Sequence, residues 1–375
     1  MAPPRNNRLQ GRIQMISIEG FRSLKEIHQL ELPQLTVLIG ANGAGKSTLI
    51  RFFEMLSWML NSQNLQEFIL RHGGGDDQFF MGARQTPRIR AEVRLETEAG
   101  FNDYRFELAH LSAGDNVMVM NEAYRYSDKK FPSLANWTTL AEVGREAALR
   151  TQDNPTAKTI CALLRRCKTY QFHDTSINSD IRKRWDVSEY FHVRSDGGNL
   201  AAVLLDLHRN DFNRYQLIVR QIQRVLPSFG DFVLEEIAGK VELRWRSKYS
   251  DKFFGAHLTS DGSLRLFCLL TLLNLSPDRL PDVLFFDEPE LGLHPHAITL
   301  VAEMLKRVAK SHQVFIATQS PYLVDCFALE NIIIAKNKDG ATSFEKLSTE
   351  QYQQWLDDDY LISDIWLKEG IGAGS

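Results

Sequence analysis

Gly40-Ala41-Asn42-Gly43-Ala44-Gly45-Lys46-Ser47 (GANGAGKS) is the stretch that decides the fold class of this 375-residue chain. It fits the pattern G-x-x-x-x-G-K-[ST] and is followed by Thr48. The apolar run 35–39 before it is typical of a buried parallel strand, and the apolar residues between Leu49 and Leu60 recur at helical spacing. A strand, a glycine-rich loop and a helix in this order predict a phosphate-binding loop.

The chemistry of this loop predicts binding of ATP together with Mg²⁺. Glycine lets backbone amides turn toward the phosphates, where a side chain would block the approach, and the helix N-terminus adds partial positive charge. Lys46 is expected to reach the β- and γ-phosphates, and Ser47 is expected to bind Mg²⁺. The predicted nucleotide-binding residues of the loop are Gly40, Ala41, Asn42, Gly43, Ala44, Gly45, Lys46, Ser47 and Thr48.

A second apolar strand, residues 283–286, ends in the two carboxylates Asp287 and Glu288. Strands of an open parallel sheet carry their functional groups at their carboxyl ends. Asp287 is predicted to bind Mg²⁺ directly or through water, and Glu288 to orient and deprotonate the attacking water as general base. Taken alone, the pair could be two solvated acids that cap a strand. Together with the phosphate-binding loop it predicts hydrolysis of ATP.

Composition and charge are those of an ordinary globular protein, with a formal net charge of −3. This charge excludes an overall attraction to DNA or to an acidic membrane, so contact with nucleic acid would need a local basic patch. The N-terminal residues lack the apolar region of a signal peptide, and the apolar runs are too short to cross a bilayer. We expect a cytoplasmic protein with reduced, scattered cysteines, namely Cys161, Cys167, Cys268 and Cys326.

Changes of pattern along the chain predict four regions. Residues 1–12 are expected to form a disordered leader. Residues 13–129 alternate as antiparallel strands around the phosphate-binding loop, which predicts an N-terminal lobe. The pattern of residues 130–225 is mainly helical, which predicts an inserted lobe. Residues 226–375 again show both strand and helix patterns, which predicts a C-terminal lobe.

A third motif, Ser260-Asp261-Gly262-Ser263, opens a predicted helix before the acidic strand. The order GANGAGKS, SDGS, FFDEPELGLHP and ATQSP resembles the heads of ABC-type ATPases. It resembles still more the RecF-like, SMC-like and OLD-like ATPases of prokaryotic defence and DNA-maintenance loci. The resemblance implies an α/β, ABC-ATPase-like P-loop NTPase head. Such a head has a mixed β-sheet core with helices, an antiparallel β subdomain and, here, the inserted helical lobe.

In ATPases of this class, the signature loop contacts a nucleotide that is held by a second protomer. The resemblance therefore implies that Ser260, Gly262 and Ser263 offer a hydroxyl, an amide and a helix N-terminus to the partner's γ-phosphate, and that Arg265 couples the loop to the nucleotide state. ATP would then join a homodimer or a higher homo-oligomer. Because SDGS departs from the consensus LSGGQ, a plain helix N-cap is the alternative interpretation.

Further positions receive roles by the same resemblance. Residues 291–295 match the D-loop, and Gln319 occupies the γ-phosphate switch, where most relatives have histidine. The Gln319 amide can donate to a phosphate oxygen but cannot gain charge, which predicts slow hydrolysis. Arg22 is expected to approach the nucleotide or the partner protomer, with a surface arginine as the alternative. Gln78 is the candidate for a Q-loop contact to Mg²⁺ and water.

Three hypotheses about function follow from these motifs. The first is an ATP-driven switch in anti-phage defence that acts on a separate effector, a nuclease or a toxin, because the segment after Pro321 contains no nuclease motif. The second is a RecF-like DNA-repair ATPase. Its DNA contact would use residues 160–194, where seven basic and four acidic side chains give a net charge of +3, although a solvated helical face explains the same residues. The third is the nucleotide-binding subunit of an ABC transporter, against which the GFRS and SDGS motifs argue.

Overall fold

The computed structural model describes residues 11–61, 64–130, 135–140, 143–347 and 361–368. The strands are β1 (Gly11–Phe21), β2 (Leu24–Glu31), β3 (Leu35–Ile39), β4 (Arg88–Thr97), β5 (Gly100–Leu111), β6 (Asn116–Asp128), β7 (Thr138–Leu140), β8 (Cys167–Tyr170), β9 (Trp185–Asp186), β10 (Phe229–Phe232), β11 (Lys240–Val241), β12 (Arg244–Ser247), β13 (Ser250–Gly255), β14 (Val283–Asp287), β15 (Gln313–Ala317), β16 (Ile332–Lys338) and β17 (Ala341–Lys346). The helices are α1 (Lys46–Leu60), α2 (Leu65–Arg71), α3 (Pro155–Arg165), α4 (Leu200–Asn210), α5 (Phe212–Val225), α6 (Asp261–Leu273), α7 (Pro295–Ala309), α8 (Pro321–Val324) and α9 (Ile362–Lys368).

The chain folds as two compact units. The first contains the chain up to residue 168, residues 282–284 and the chain from residue 329 onwards. The second contains residues 169–281 and 285–328. The predicted inserted lobe, residues 130–225, does not form a unit of its own, because α3 belongs to the first unit whereas α4 and α5 belong to the second.

The first unit is built on a long antiparallel sheet with strand order β2-β1-β4-β5-β6-β7. Its strands alternate between buried and more exposed residues, as expected when one face of a sheet covers a core. The apolar face of α1 packs on this sheet, where Phe52 lies 5.6 Å from the Phe21 ring and 6.3 Å from the Phe106 ring. All five residues of β3 are buried, and β3 pairs in parallel with β16, which pairs antiparallel with β17.

The predicted leader needs a correction at its end. Residues 1–10 lie outside the described residues. Gly11 and Arg12 belong to β1, since they pair with Thr97 and Glu96 of β4. The Arg12 guanidinium also contacts the Glu96 carboxylate at 2.7 Å. A cross-strand ion pair and ladder hydrogen bonds thus extend the strand two residues beyond its apolar alternation.

The strand β14, of which residues 285–287 belong to the second unit, lies between β15 and β8, and its apolar residues are buried as predicted for a parallel-type strand. The rings of Phe285 and Phe315 stack at 4.6 Å between β14 and β15. A three-stranded sheet, β10-β12-β13, leads into α6. None of the described helices combines the length and the apolarity that crossing a membrane requires.

Candidate nucleotide-binding and catalytic site

The predicted phosphate-binding loop connects β3 to α1 in the first unit. Gly45 has a φ of +100°, and a Cβ at this position would lie 2.0 Å from Thr342 Oγ1 of β17. Only glycine satisfies both the left-handed backbone and this close approach. The Lys46 ammonium donates to the carbonyl oxygens of Gly40 at 2.7 Å and Ala41 at 3.1 Å. The loop therefore curls around the lysine nitrogen.

The N-terminus of α1 fits an anionic ligand. Gly45 is its N-cap and supplies no side-chain cap for the first-turn amides, and the first turn contains no acidic residue. Gly43 has open space around its Cα, since a Cβ there would meet no atom within 4 Å. The backbone amides at the start of a 15-residue helix are donors of the kind that phosphate oxygens use. The residues present thus fit the phosphates of ATP.

Two neighbouring hydroxyls brace the start of α1. Ser23 Oγ donates to Thr48 Oγ1 at 3.2 Å, and Thr342 Oγ1 donates to Ser23 Oγ at 2.8 Å. Thr342 lies almost 300 residues from the loop in sequence, so sequence reasoning gave it no role. Ser47, the predicted Mg²⁺ ligand, has an exposed side chain.

Arg22 and Gln78 form a buried hydrogen-bonded pair in the first unit. Arg22 has a φ of +49° and donates from Nε and Nη2 to Gln78 Oε1 at 3.1 and 2.9 Å. Gln78 Nε2 donates to the carbonyl oxygens of His72 and Gly74 at 2.9 and 2.8 Å. Burial, and then the nearby Arg51, lower the pKa of the Arg22 guanidinium.

This pairing changes the interpretation of both residues. The Gln78 side chain is fully buried, and both its amide oxygen and its amide nitrogen form hydrogen bonds. These contacts indicate that Gln78 holds Arg22 in place. Contact of Gln78 with Mg²⁺ stays a prediction that requires these hydrogen bonds to break. Arg22 is half-buried rather than a free surface arginine.

Gln78→Ala is expected to lower the thermal unfolding midpoint. The substitution removes the acceptor of Arg22 and the donor of two loop carbonyls, and buried polar groups left without partners cost about 1–3 kcal/mol each. The exposed Gln85→Ala is the matched control and should leave the midpoint unchanged. Equal midpoints for the two variants would contradict the bracing role. Differential scanning fluorimetry measures both.

The predicted catalytic acids lie at the end of β14 in the second unit, where both side chains are half-buried. His173 Nε2 donates to the Asp287 carbonyl oxygen at 2.8 Å, and Gln171 Nε2 lies 3.3 Å from Asp287 Oδ2. Glu288 has a left-handed φ of +45°, and its amide donates to the Ala317 carbonyl oxygen at 2.8 Å. The carboxylates are therefore held by a strained turn. Gln171 and His173 follow β8 and carried no recognisable motif.

A third acid of the same turn, Glu290, is buried with 8% of its surface exposed. Thr318 Oγ1 donates to Glu290 Oε1 at 2.5 Å and accepts from the Ser320 amide at 2.9 Å. Among the described residues, Glu290 Oε2 has no hydrogen-bond partner. Burial raises the pKa of the Glu290 carboxyl, and the nearby Glu288 and Asp287 add to the rise. Gln319, the predicted switch residue, is exposed between Thr318 and Ser320.

The predicted signature segment opens α6 in the second unit. Ser260 is the N-cap and accepts from the Ser263 amide at 3.3 Å, which is the alternative role left open by the sequence. A Cβ on Gly262 would lie 2.3 Å from the carbonyl oxygen of Gly292. Glycine is thus required for the signature and D-loop segments to touch. Ser260 therefore caps the helix. Contact of the Gly262 amide and of the exposed N-terminus of α6 with a partner's γ-phosphate stays a prediction.

Arg265 ties this segment to its neighbours. Its guanidinium donates to the carbonyl oxygens of Phe172, His173 and Leu291 at 3.0, 3.1 and 3.1 Å. These contacts connect the signature helix to the D-loop and to the residue that holds Asp287. His294, in the predicted D-loop, is the N-cap of α7.

The described residues contain no group of three or more His, Cys, Asp or Glu side chains that could hold a metal ion. Mg²⁺ in a P-loop site uses different chemistry, because it binds a hydroxyl, one carboxylate and phosphate oxygens. Ser47 and Asp287 are residues of the required types. Ser47 lies in the first unit and Asp287 in the second, and each side chain by itself is chemically suited to Mg²⁺.

Two solved structures are similar in fold to this chain. The first is an SmcHead bound to the C-winged helix domain of ScpA, with a TM-score of 0.60 at 15% identity over 91% of this chain and 99% of that chain. The second is the Smc head domain of Pyrococcus furiosus with an extended coiled coil, bound to the C-terminal domain of ScpA. Its TM-score is 0.57 at 14% identity over 93% of this chain and 99% of that chain. The predicted ABC-ATPase-like α/β fold is confirmed.

Comparison of sequences identifies the family. No curated protein matches the chain. The family described as "AAA domain, putative AbiEii toxin, Type IV TA system" matches residues 35–325, which is well over half of the chain and includes the phosphate-binding loop, the signature segment and the catalytic acids. The chain therefore belongs to this AAA-domain family of P-loop proteins.

Proposed function

We propose that this protein binds ATP with Mg²⁺ and hydrolyses it, and that ATP joins two copies whose association and release act as a switch for a separate effector protein. The observation that carries the proposal is the loop of the first unit, in which the Lys46 ammonium lies against the loop carbonyls at the N-terminus of a helix whose first turn contains no acidic residue. The buried strand β14, which ends at Asp287 and is followed directly by Glu288, supports hydrolysis.

In this mechanism the loop amides and Lys46 hold the phosphates and neutralise charge that develops on them. Ser47 and Asp287 are the residues that would hold Mg²⁺, which would supply further neutralisation of the phosphate oxygens. Glu288 accepts a proton from the attacking water, whose oxygen forms a bond to the γ-phosphorus as the bond to ADP breaks. The Gln319 amide donates to a γ-phosphate oxygen. Because a glutamine cannot carry charge, we expect turnover to be slow.

Association through ATP is supported by the second unit. Ser260 is exposed and Gly262 and Ser263 are half-exposed at the N-terminus of a 13-residue helix, which suits an anion supplied by another molecule. The similar Smc heads were solved with bound ScpA, which supports a role in which a head of this fold engages a partner protein. The family description names a putative toxin of a Type IV TA system, which supports a setting that involves a toxin.

DNA binding by residues 160–194 has weaker support. Arg182 contacts Asp261 at 3.1 Å, and Arg184 contacts Glu242 at 3.0 Å. The Arg194 guanidinium stacks over the Trp185 ring at 4.6 Å. Cations that are paired within the protein offer less charge to a phosphate backbone. These contacts favour a structural role for the basic segment.

Lys46→Ala is expected to weaken ATP binding by at least about tenfold, because the ammonium contributes a charge-assisted contact worth about 1.5–3 kcal/mol. A fluorescent ATP analogue titrated in the presence of Mg²⁺ measures the Kd, and phosphate release measures turnover. The exposed Lys248→Ala is the matched control and should bind as the wild type does. Unchanged binding by Lys46→Ala, or no binding by the wild type, would contradict the proposed nucleotide site.

A further inference from the structure

Two turns of the second unit are joined by buried hydrogen bonds. One turn, residues 287–290, carries the proposed general base Glu288, and the other, residues 318–320, carries the proposed switch residue Gln319. Thr318 Oγ1 links the two, since it donates to Glu290 Oε1 at 2.5 Å and accepts from the Ser320 amide at 2.9 Å. The Glu288 amide adds a backbone contact to Ala317 at 2.8 Å. The turn that carries Glu288 is therefore joined to the segment that carries Gln319 by one side-chain and one backbone hydrogen bond.

Stability alone gives a poor account of Glu290. Thr318 is fully buried and Glu290 is 8% exposed, so the link lies in an environment where an apolar pair would be favourable. Glu290 Oε2 has no partner among the described residues, and a buried polar atom without a hydrogen bond costs about 1–3 kcal/mol. A costly buried group next to catalytic residues is typical of a site where function takes precedence over stability.

We propose that Glu290 is a positioning residue for ATP hydrolysis. Through Thr318 it holds the backbone on both sides of Gln319 in place relative to the turn that carries Glu288. Glu290 acts on the geometry of the turns, and neither it nor Thr318 touches the reacting atoms. This inference rests on the proposed ATPase function and adds a residue that the sequence motifs left without a role.

The test compares Glu290→Leu, Thr318→Val and the double variant with the wild type. Each single variant should lower kcat by about 10- to 100-fold, because a misplacement of about 1 Å in a catalytic group has effects of this size. The Kd for the fluorescent ATP analogue should stay within about threefold of the wild type, because neither residue touches the nucleotide. Since both residues act through one link, the double variant should be no slower than the singles.

Conservative variants show whether the hydrogen bond between Thr318 and residue 290 is what matters for kcat, or whether any substitution at these positions lowers kcat. Glu290→Gln retains an acceptor for the Thr318 hydroxyl and Thr318→Ser retains the hydroxyl, so both should keep kcat within about threefold of the wild type. The exposed Glu303→Leu on α7 is the control for loss of a carboxylate. If Glu290→Leu does not fold, the contrast between Thr318→Val and Thr318→Ser decides the question.

A wild-type kcat in Glu290→Leu or in Thr318→Val would overturn this inference and leave the proposed ATPase function standing. The same holds if the loss of kcat in the double variant equals the product of the losses in the two single variants. Absence of phosphate release by the wild-type protein would overturn the proposed function, and this inference with it.

Discussion

Glu288→Gln is expected to lower the rate of ATP hydrolysis by about 10²- to 10⁴-fold while ATP binding is retained. General-base catalysis contributes a factor of this size, and an amide of nearly the same shape cannot accept the proton of the attacking water. Glu288 is held at the end of β14 by a left-handed backbone and by a hydrogen bond to Ala317. Since glutamine keeps the shape and the backbone contact, we expect the fold to be preserved.

The same variant should also accumulate as an ATP-bound dimer or higher oligomer. If hydrolysis is the event that releases the two copies, a variant that binds but does not hydrolyse ATP remains associated. Size-exclusion chromatography with light scattering, with and without Mg²⁺ and ATP, measures the change in mass. Wild-type turnover per molecule should rise with protein concentration over the range in which dimers form.

Glu303→Gln on the exposed face of α7 is the matched control. It should hydrolyse ATP at the wild-type rate and elute as the wild type does. If Glu288→Gln hydrolyses ATP at the wild-type rate, Glu288 is not the general base. Loss of turnover with an unchanged monomeric mass in ATP would retain the catalytic role and contradict association through ATP.

Mixing two inactive variants is expected to restore activity if the site is completed by a second copy. The Lys46→Ala variant lacks the lysine that contacts the phosphates in its own loop, but its signature segment is intact. Ser260→Arg places a bulky side chain at the exposed N-terminus of α6 but retains Lys46. Each alone should lose more than about 90% of the wild-type rate, since each lacks a group that contacts the phosphates. In a mixed symmetric dimer, one of the two sites would combine both intact halves.

The expected recovery in an equal mixture is about one quarter of the wild-type rate, because about half of the dimers are mixed and each contains one intact site. Ser311→Arg, at an exposed position after α7, is the control for the added charge and bulk and should remain active. No recovery from Lys46→Ala mixed with Ser260→Arg would contradict a shared site.

Much of the local structure could be predicted because local rules decide it. β3 spans the predicted residues 35–39. The predicted helix after the loop forms from Lys46 to Leu60, since its apolar residues repeat at the helical period and Gly45 permits the left-handed turn before it. The predicted helix at the signature segment begins at Asp261, because Ser260 supplies the N-cap.

Contacts between distant parts of the chain could not be predicted in this way. Gln78 was assigned to Mg²⁺ from its residue type and position, whereas its amide is engaged by Arg22 and by the carbonyls of its own loop. Glu290 stands in the quoted motif FFDEPELGLHP without a role, because its significance depends on Thr318, a strand and a helix later. The division of residues 130–225 between two units likewise depends on which neighbouring elements each helix packs against.

The sequence by itself determined the chemistry of this protein: the glycines, lysine and hydroxyl of the phosphate-binding loop, the paired acids, and the order of motifs that places it among AAA-domain P-loop proteins. These features are local, because spacing along a strand, turn or helix specifies them. Only the tertiary structure decided which side chains support that chemistry, such as Thr342 against Gly45, Gln78 against Arg22 and Thr318 against Glu290. Such partners are selected by packing and by the need to pair buried polar groups, and no spacing in the sequence encodes them.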